Sequence, residues 1–213
     1  MTIEFNDVLP YPLEDYPHGN DSVWKNKFHL NFPKKVVLNA SSGKGKTTFV
    51  NTLYGIRKDY NGAIKLDGKD ISGLSLDEWI ELRKNKLSVV FQDLQLFPEL
   101  TVWENLILKN DLTQHQSEER IREMLHTLGI GDKEYMLCRK LSLGQQQRVA
   151  IIRALLQPFE LLLMDEPFSH LDEGNAATAL KLIVEETNKN NGGFILTTLG
   201  SYHGYEYEEE LTL

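Results

Sequence analysis

Residues 38–48, with the sequence LNASSGKGKTT, constrain the fold more than any other part of this chain. They follow an apolar run, 35–38, that is typical of a buried strand, and they lead into residues 47–53, which have a helical pattern. A glycine-containing turn between a strand and a helix directs backbone N–H groups and the positive end of the helix dipole at one place. Such a turn favours an anionic ligand, and we expect that ligand to be a nucleotide.

Residues 40–47 match the phosphate-loop pattern G-x-x-x-x-G-K-[ST] except at the first position, where Ala40 replaces glycine. Alanine is tolerated there if its φ angle is negative, but it costs on the order of 1 kcal/mol if the turn requires a positive φ. Lys46 offers a charge to the β- and γ-phosphates, and Thr47 offers a hydroxyl to Mg²⁺. The nucleotide-binding residues that we predict are Ser41, Ser42, Gly43, Lys44, Gly45, Lys46, Thr47 and Thr48. Taken alone, this stretch leaves a polar surface turn open as the alternative.

The composition places limits on the class of protein. With 213 residues, 41% of them hydrophobic, the chain can bury a core, and its single cysteine, Cys138, excludes an internal disulfide and fits a reducing compartment. A net charge of −8 argues against nucleic acid as a partner. Residues 1–5 lack the basic region of a signal peptide, and no window approaches ~18 consecutive apolar residues, so we expect neither a signal peptide nor a membrane span.

Apolar periodicity predicts strands that alternate with helices, which is typical of an α/β fold with a mostly parallel sheet. Strands are predicted at 3–9, 22–32, 35–38, 62–68, 87–91, 160–165, 193–198 and 210–213. Helices are predicted at 47–53, 75–83, 102–108, 117–128, 143–157 and 173–188, and in the second of these Trp79, Ile80 and Leu82 are predicted to form the apolar side. We therefore expect one domain over residues 1–213, with a helical insertion at 93–157 and a nucleotide at the carboxyl ends of the strands.

Two further stretches contain residues that can bind a ligand or take part in catalysis. Residues 163–167, LMDEP, place two carboxylates at the end of an apolar strand, where Asp165 can hold Mg²⁺ and Glu166 can polarise a water molecule near the γ-phosphate. A solvated acidic turn is the alternative at this place. Residues 140–150, KLSLGQQQRVA, place Ser142 at the start of a helix. Ser142 can cap that helix, and the helix N-terminus can also bind a second anion.

The order of these motifs resembles that of the ATP-binding subunit of ABC transporters along essentially the whole chain. The motifs are the phosphate loop, Gln92 of the Q-loop, the signature at 141–148, the Walker B strand at 161–166 and the D-loop at 169–172. Residues 82–106 are similar to the branch that contains the lipoprotein-release, macrolide-efflux and cell-division ATPases. The resemblance implies a P-loop NTPase fold with a mostly parallel core sheet, an N-terminal antiparallel β part and an inserted α-helical subdomain.

The resemblance also implies roles for single residues. ATP and Mg²⁺ would be the cofactors, with Thr47, Gln92 and Asp165 around the metal, and with Glu166 and Gln92 as the catalytic residues. Residues that would act on ATP bound to a second copy are Ser142, Gly144 and Gln145 of the signature, and those of the D-loop are Ser169, Leu171 and Asp172. Tyr16, in a loop ahead of the phosphate loop, is favoured over Tyr11 to stack on the adenine, although a loop tyrosine is more commonly just packed.

Partners and location follow from the same resemblance. Two chains, expected to be identical, would sandwich two nucleotides, and hydrolysis would reopen the pair. The helical insertion would receive a segment of an integral membrane subunit, with Gln92 linking that contact to the γ-phosphate. The chain would then be cytoplasmic and peripheral, held at the cytoplasmic face of the membrane by its partner.

Three residues depart from the family pattern, namely Ala40, Leu143 at the first signature glycine, and Leu199 at the position of the switch histidine. Leucine cannot make the hydrogen bond to the γ-phosphate that histidine makes. His203 lies four residues further on and is within reach only if the loop folds back. We expect either that the switch contact is missing and turnover is slow, or that a different partner chain supplies the missing groups.

Three functions are compared on this basis. The main hypothesis is an ATPase subunit that powers a separate membrane component. The alternative is an ATP-gated module that closes on ATP, hydrolyses it poorly and acts as a signal. A soluble ABC protein of DNA repair or translation is disfavoured, because such proteins usually carry paired cassettes or long insertions and this chain has neither.

Overall fold

The apolar runs of the sequence form two sheets, and the amphipathic runs form six α-helices around them, in a computed structural model that describes residues 1–213. The strands are β1 (Thr2–Pro10), β2 (Lys27–Asn31), β3 (Lys35–Asn39), β4 (Tyr60–Leu66), β5 (Lys69–Asp70), β6 (Leu87–Val90), β7 (Leu161–Asp165), β8 (Gly193–Thr198) and β9 (Glu209–Thr212). The helices are α1 (Lys46–Leu53), α2 (Leu76–Asn85), α3 (Val102–Asn110), α4 (Glu118–Thr127), α5 (Leu143–Ala154) and α6 (Glu173–Lys189).

The central sheet is parallel, with the strand order β6-β7-β8-β3-β9. Successive residues of a strand point to opposite faces, so Leu161 and Leu163 pack in one apolar cluster while Leu162 and Met164 pack in the other. Burial on both faces explains why β7 is a continuous apolar run. Because all five strands point the same way, the ends of β3, β7 and β8 meet at one edge of the sheet, where the site lies.

The second sheet is antiparallel, with the order β2-β1-β4-β5, and it fixes the position of α1. Its inner face packs against the buried side of that helix, and the rings of Phe5 on β1 and Phe49 on α1 stack with centroids 5.6 Å apart. Since α1 begins at the phosphate loop, this apolar contact also holds the loop at the edge of the parallel sheet.

Three helices, α3, α4 and α5, occur in the sequence between β6 and β7, and they share one apolar core with α6. Ser117 caps α4, and Ile121, Met124, Leu125 and Leu128 are all buried, as their spacing predicts. The division of the chain into one domain with a helical subdomain at 93–157 stays a prediction. None of the six helices has the length and apolar character that crossing a lipid bilayer requires.

Three details of the predicted elements are wrong. The predicted strand at 22–32 begins only at Lys27, because Lys25 has a φ of +61° and turns the chain. The predicted helix 143–157 ends at Ala154, and the buried side chain of Gln157 instead donates hydrogen bonds to the carbonyls of Arg83 and Leu87. Ile80 was expected on the apolar side of α2 but is 51% exposed.

The single cysteine provides a direct test of the core. Cys138 is 1% exposed, and burial raises the pKa of its thiol to about 11. Since only the thiolate attacks disulfide reagents, we expect a reagent such as Ellman's to leave the native chain unmodified at about pH 8. The same reagent should find one thiol per chain after denaturation in guanidinium. Modification of the native chain at the rate of a free thiol would contradict this packing.

Candidate nucleotide-binding site

The phosphate loop joins β3 to α1 and makes two left-handed turns at glycine. Gly43 has a φ of +78° and Gly45 a φ of +100°, values that residues with a side chain rarely adopt. A Cβ on Gly45 would also lie 2.8 Å from Cδ1 of Leu13. Ala40 does not adopt a positive φ, so the alanine at the first glycine position introduces no backbone strain.

The first turn of α1 leaves hydrogen-bond donors free. The backbone N–H groups of Lys46, Thr47 and Thr48 donate to no protein acceptor, as expected for the start of a helix without a side-chain cap. The predicted residues Ser41 to Lys44 precede this turn and are exposed. Free amides and the positive end of the helix dipole together make an anion site at the tip of β3.

The side chain of Lys46 lies inside the loop rather than in solvent, and it is only 5% exposed. Its Nζ donates to the carbonyl oxygens of Ala40 at 2.8 Å and Ser41 at 3.2 Å, and it lies 3.2 Å from Oε1 of Glu166. The ammonium is therefore surrounded by oxygen atoms and paired with the carboxylate that the sequence predicts as the general base.

Glu166 directly follows β7 and has a φ of +47°. A non-glycine residue in this region carries a backbone strain of about 1–3 kcal/mol and needs support from its surroundings. Its N–H donates to Oγ1 of Thr197 at 3.0 Å, and its carbonyl accepts from Nε2 of Gln147 at 3.2 Å. These two bonds fix the backbone from which the Glu166 carboxylate reaches Lys46.

Thr47, Gln92 and Asp165 bring three oxygen ligands together. Oγ1 of Thr47 donates to Oε1 of Gln92 at 3.1 Å, and all three residues line a cavity of about 930 Å³. Burial raises the pKa of Asp165, while the hydrogen bond from Thr197 acts in the opposite direction. A hydroxyl, an amide oxygen and a carboxylate are the kinds of ligand that Mg²⁺ takes, so this donor set fits the predicted metal.

The predicted signature residues lie at the start of α5. Ser142 caps the helix, since its Oγ accepts from the N–H of Gln145 at 3.3 Å, and Oε1 of Gln145 accepts from the N–H of Ser142 at 2.9 Å. A Cβ on Gly144 would lie 2.6 Å from the carbonyl oxygen of His170, so glycine is required there. Leu143 is exposed. The capping role of Ser142 is thus observed, and its contact with a partner's nucleotide stays a prediction.

The D-loop residues form a tight turn after Glu166. The N–H of Ser169 donates to the Glu166 carbonyl at 3.2 Å, and the N–H of Leu171 donates to the carbonyl of Phe168 at 3.0 Å. Asp172 caps α6, since its Oδ1 accepts from the N–H of Asn175 at 2.8 Å. The turn therefore follows directly from the backbone of the candidate general base.

Sequence reasoning missed two residues that support this edge. Gln147 is fully buried on α5; its Nε2 bonds to Glu166, and its Oε1 accepts from the N–H of His170 at 2.9 Å. Thr197 bonds to the backbone of Glu166 and, at 2.9 Å, to Oδ1 of Asp165. The sequence does contain a signal for the burial of Gln147. It lies three and four residues before the apolar Ala150 and Ile151, so all three fall on one side of α5.

Two other predicted positions lie in loops beside the site. Tyr16 and Tyr11 are both about half exposed, and the N–H of Tyr16 bonds to Leu13, the residue that packs against Gly45. Stacking of Tyr16 on an adenine stays a prediction. Leu199 is 59% exposed, and the loop after it does fold back, so that His203 lies in a cavity with Glu166.

Comparison with known proteins places this geometry in a family. A family model described as ABC transporter matches residues 25–169. The lipoprotein-releasing system ATP-binding protein LolD of Buchnera aphidicola is 33% identical, over 81% of this chain and 78% of LolD. The macrolide export ATP-binding/permease protein MacB of Aggregatibacter actinomycetemcomitans is 36% identical, over 70% of this chain but 23% of MacB. Both relatives agree with the branch that residues 82–106 predict.

A solved structure matches the fold as well. The ATP-binding cassette MJ0796, in a dimeric post-hydrolysis state bound to ADP and phosphate, aligns with a TM-score of 0.76 and 26% identity, covering 93% of this chain and 88% of that chain. This match agrees with the predicted P-loop NTPase architecture. The chain therefore belongs to the ABC transporter family, and its fold is that of the family's ATP-binding cassette.

Proposed function

We propose that this chain hydrolyses ATP and that ATP-driven closure and reopening of two such chains powers a separate membrane-spanning component. The observation that carries the proposal is the convergence of Lys46, Asp165 and Glu166 at one edge of the parallel sheet. A buried ammonium and two adjacent carboxylates at the tip of an anion-binding helix suit the chemistry of a nucleoside triphosphate.

Binding would use the free amides at the start of α1 and the ammonium of Lys46. Phosphate oxygens would replace the carbonyls of Ala40 and Ser41 as acceptors of that ammonium, and they would compete with Glu166 for its charge. Thr47, Gln92 and Asp165 would hold Mg²⁺, which neutralises charge on the β- and γ-phosphates. The Glu166 carboxylate would then be free to act as a base.

In the hydrolytic step the oxygen of a water molecule forms a bond to the γ-phosphorus while the bond to the bridging oxygen of ADP breaks. Glu166 accepts the proton that this water loses, and the products are ADP and phosphate. The hydrogen bonds from Gln147 and to Thr197 hold the Glu166 backbone in place for this transfer.

The second copy would complete the site. Ser142, Gly144 and Gln145 lie at an exposed helix N-terminus, which has a positive partial charge and can approach the phosphates bound to the other chain. The ATP-bound pair would then be held together by the nucleotides themselves, and loss of phosphate would weaken it.

The membrane component would dock where a groove lies between β6 and α3. This cavity of about 370 Å³ is mostly apolar and includes Phe91, Phe97 and Leu108, with Lys109 and Arg153 beside them. Burial lowers the pKa of Lys109 to about 8, and the nearby charge of Arg153 adds to the effect. Because Gln92 directly follows Phe91, a contact in the groove can reach the metal site. The chain would be cytoplasmic and peripheral through this contact.

Phosphate release by the purified chain tests the proposal. We expect release to require Mg²⁺ and to exceed that of the Glu166→Gln variant by on the order of 100-fold or more, since a general base contributes about that much. The measurement is made with the chain alone and with its membrane component in vesicles. Equal rates for the wild-type and Glu166→Gln chains, both with and without the membrane component, would contradict ATP hydrolysis and favour the ATP-gated module.

A further inference from the structure

A second, smaller cavity lies next to Glu166 on the side of β8. It has a volume of about 230 Å³, and its lining includes Glu166, Ser169, Thr198, Leu199 and His203. This volume is well above the minimum of about 10–15 Å³ that one water molecule needs, so the cavity can admit a phosphoryl group together with water. His203 is the one imidazole in this lining.

The loop after β8 is built to bring His203 back to this cavity. Oγ1 of Thr198 accepts from the N–H of Ser201 at 3.1 Å and donates to the Ser201 carbonyl at 2.9 Å, which closes a turn. Gly200, with a φ of +105°, and Gly204, with a φ of +69°, allow the chain to reverse on either side of His203. His203 itself has a φ of +50°. Leu199 lines the same cavity and is 59% exposed.

The imidazole of His203 is oriented by two contacts. Its ring meets the Phe168 ring edge-on, with centroids 4.8 Å apart and an interplanar angle of 80°, and its Nδ1 lies 3.4 Å from Oγ of Ser201. Its Nε2 has no hydrogen-bond partner in the protein. Burial lowers the pKa of His203, an effect that Glu173 partly opposes, so the ring is neutral near pH 7. When the Ser201 hydroxyl donates to Nδ1, the ring proton lies on Nε2.

We propose that Nε2 of His203 donates a hydrogen bond to the terminal phosphate of bound ATP and so distinguishes ATP from ADP. This inference rests on the proposed function and deepens it, because it assigns the γ-phosphate contact to a residue four positions beyond the expected one. Leu199 also lines this cavity, but its side chain has no hydrogen-bond donor and takes no part in the contact.

Binding measurements with matched variants test the assignment without relying on turnover. The parent is the Glu166→Gln chain, which keeps ATP intact, and titration calorimetry gives its dissociation constants for ATP and ADP with Mg²⁺. His203→Phe keeps a ring against Phe168 but has no donor, while His203→Gln keeps a donor and loses the ring. His29→Phe, at an exposed position of β2, is the control.

We expect His203→Phe to weaken ATP binding about tenfold and to change ADP binding by less than about twofold, because it loses one charge-assisted hydrogen bond. His203→Gln should stay within about threefold of the parent for both nucleotides, since its amide can donate to phosphate. The control should match the parent. A ring that only packs would give the opposite order, with His203→Gln impaired and His203→Phe normal, and that result would overturn the assignment.

The same titrations separate the two proposals. If the parent bound ATP no better than the same chain with Lys46→Ala, the proposed function would fail and this inference with it. If the parent bound ATP well and His203→Phe bound ATP and ADP with unchanged affinities, only the role of His203 would be wrong. Equal weakening for ATP and ADP would likewise contradict a contact with the terminal phosphate.

Discussion

Replacing Lys46 with alanine is expected to weaken ATP binding by about 100-fold, because a buried ammonium makes hydrogen bonds to anionic oxygens worth about 1.5–3 kcal/mol each. The side chain is 5% exposed and already lies among three oxygen acceptors, so little ordering is needed when phosphate arrives. Titration calorimetry with ATP and Mg²⁺ measures the loss. Pairing of chains in the presence of ATP should be lost to the same extent.

Lys58→Ala is the matched control, because Lys58 is an exposed lysine shortly after α1 that forms no ion pair. It should leave ATP affinity within about twofold of the wild-type value, since exposed charges contribute little. Circular dichroism checks that the Lys46→Ala chain is folded, since the variant leaves Glu166 without its ion-pair partner. Unchanged ATP affinity in a folded Lys46→Ala chain would refute the phosphate site.

Replacing Glu166 with glutamine should reduce phosphate release by roughly 100- to 1,000-fold while ATP stays bound, since the amide cannot accept the proton from water. The nucleotide would then keep two chains together. Light scattering during gel filtration should give the mass of a dimer with ATP and the mass of a monomer with ADP. The neutral amide also loses its ionic attraction to Lys46, which should favour phosphate in the competition for that ammonium.

Glu81→Gln is the control here, because Glu81 is an exposed acid on α2 that forms no ion pair and has no part in the candidate site. It should hydrolyse ATP at the wild-type rate and dimerise only transiently. The trapped Glu166→Gln pair also serves to isolate the membrane component, which should co-purify with it in ATP. A Glu166→Gln chain that stayed monomeric in saturating ATP would contradict the nucleotide sandwich.

Much of the fold could be predicted because its signals are local. The apolar runs of β3 and β7, the capping serines before α2 and α4, and the spacing of apolar residues on α4 each specify an element without knowledge of its neighbours. Ile80 shows the limit of this reasoning. Its position fits the apolar side of α2, but the helix buries Trp79 instead and leaves the adjacent residue exposed.

The candidate site likewise has one part that the sequence predicts and another part that it does not. The residues of the phosphate loop and of the strand end at Asp165 are adjacent in the chain, so their proximity follows from one strand and one turn. Gln147 and Glu166 are 19 positions apart, and their contact depends on how α5 packs on the sheet. The reach of His203 depends on φ angles at two glycines and on a threonine hydroxyl, which no periodic pattern reports.

The buried amide of Gln147 has a kinetic consequence. One helix, α5, has Ser142 at its N-terminus, where we propose that it meets a partner's nucleotide, and through Gln147 it holds the backbone of the candidate general base Glu166. Oε1 of Gln147 also accepts a hydrogen bond from the N–H of His170, which links that helix to the D-loop. Binding of ATP at one of the two nucleotide sites of a dimer would therefore change the position of Glu166 at the other site. The hydrolysis rate should then rise with ATP concentration along a sigmoidal rather than a hyperbolic curve.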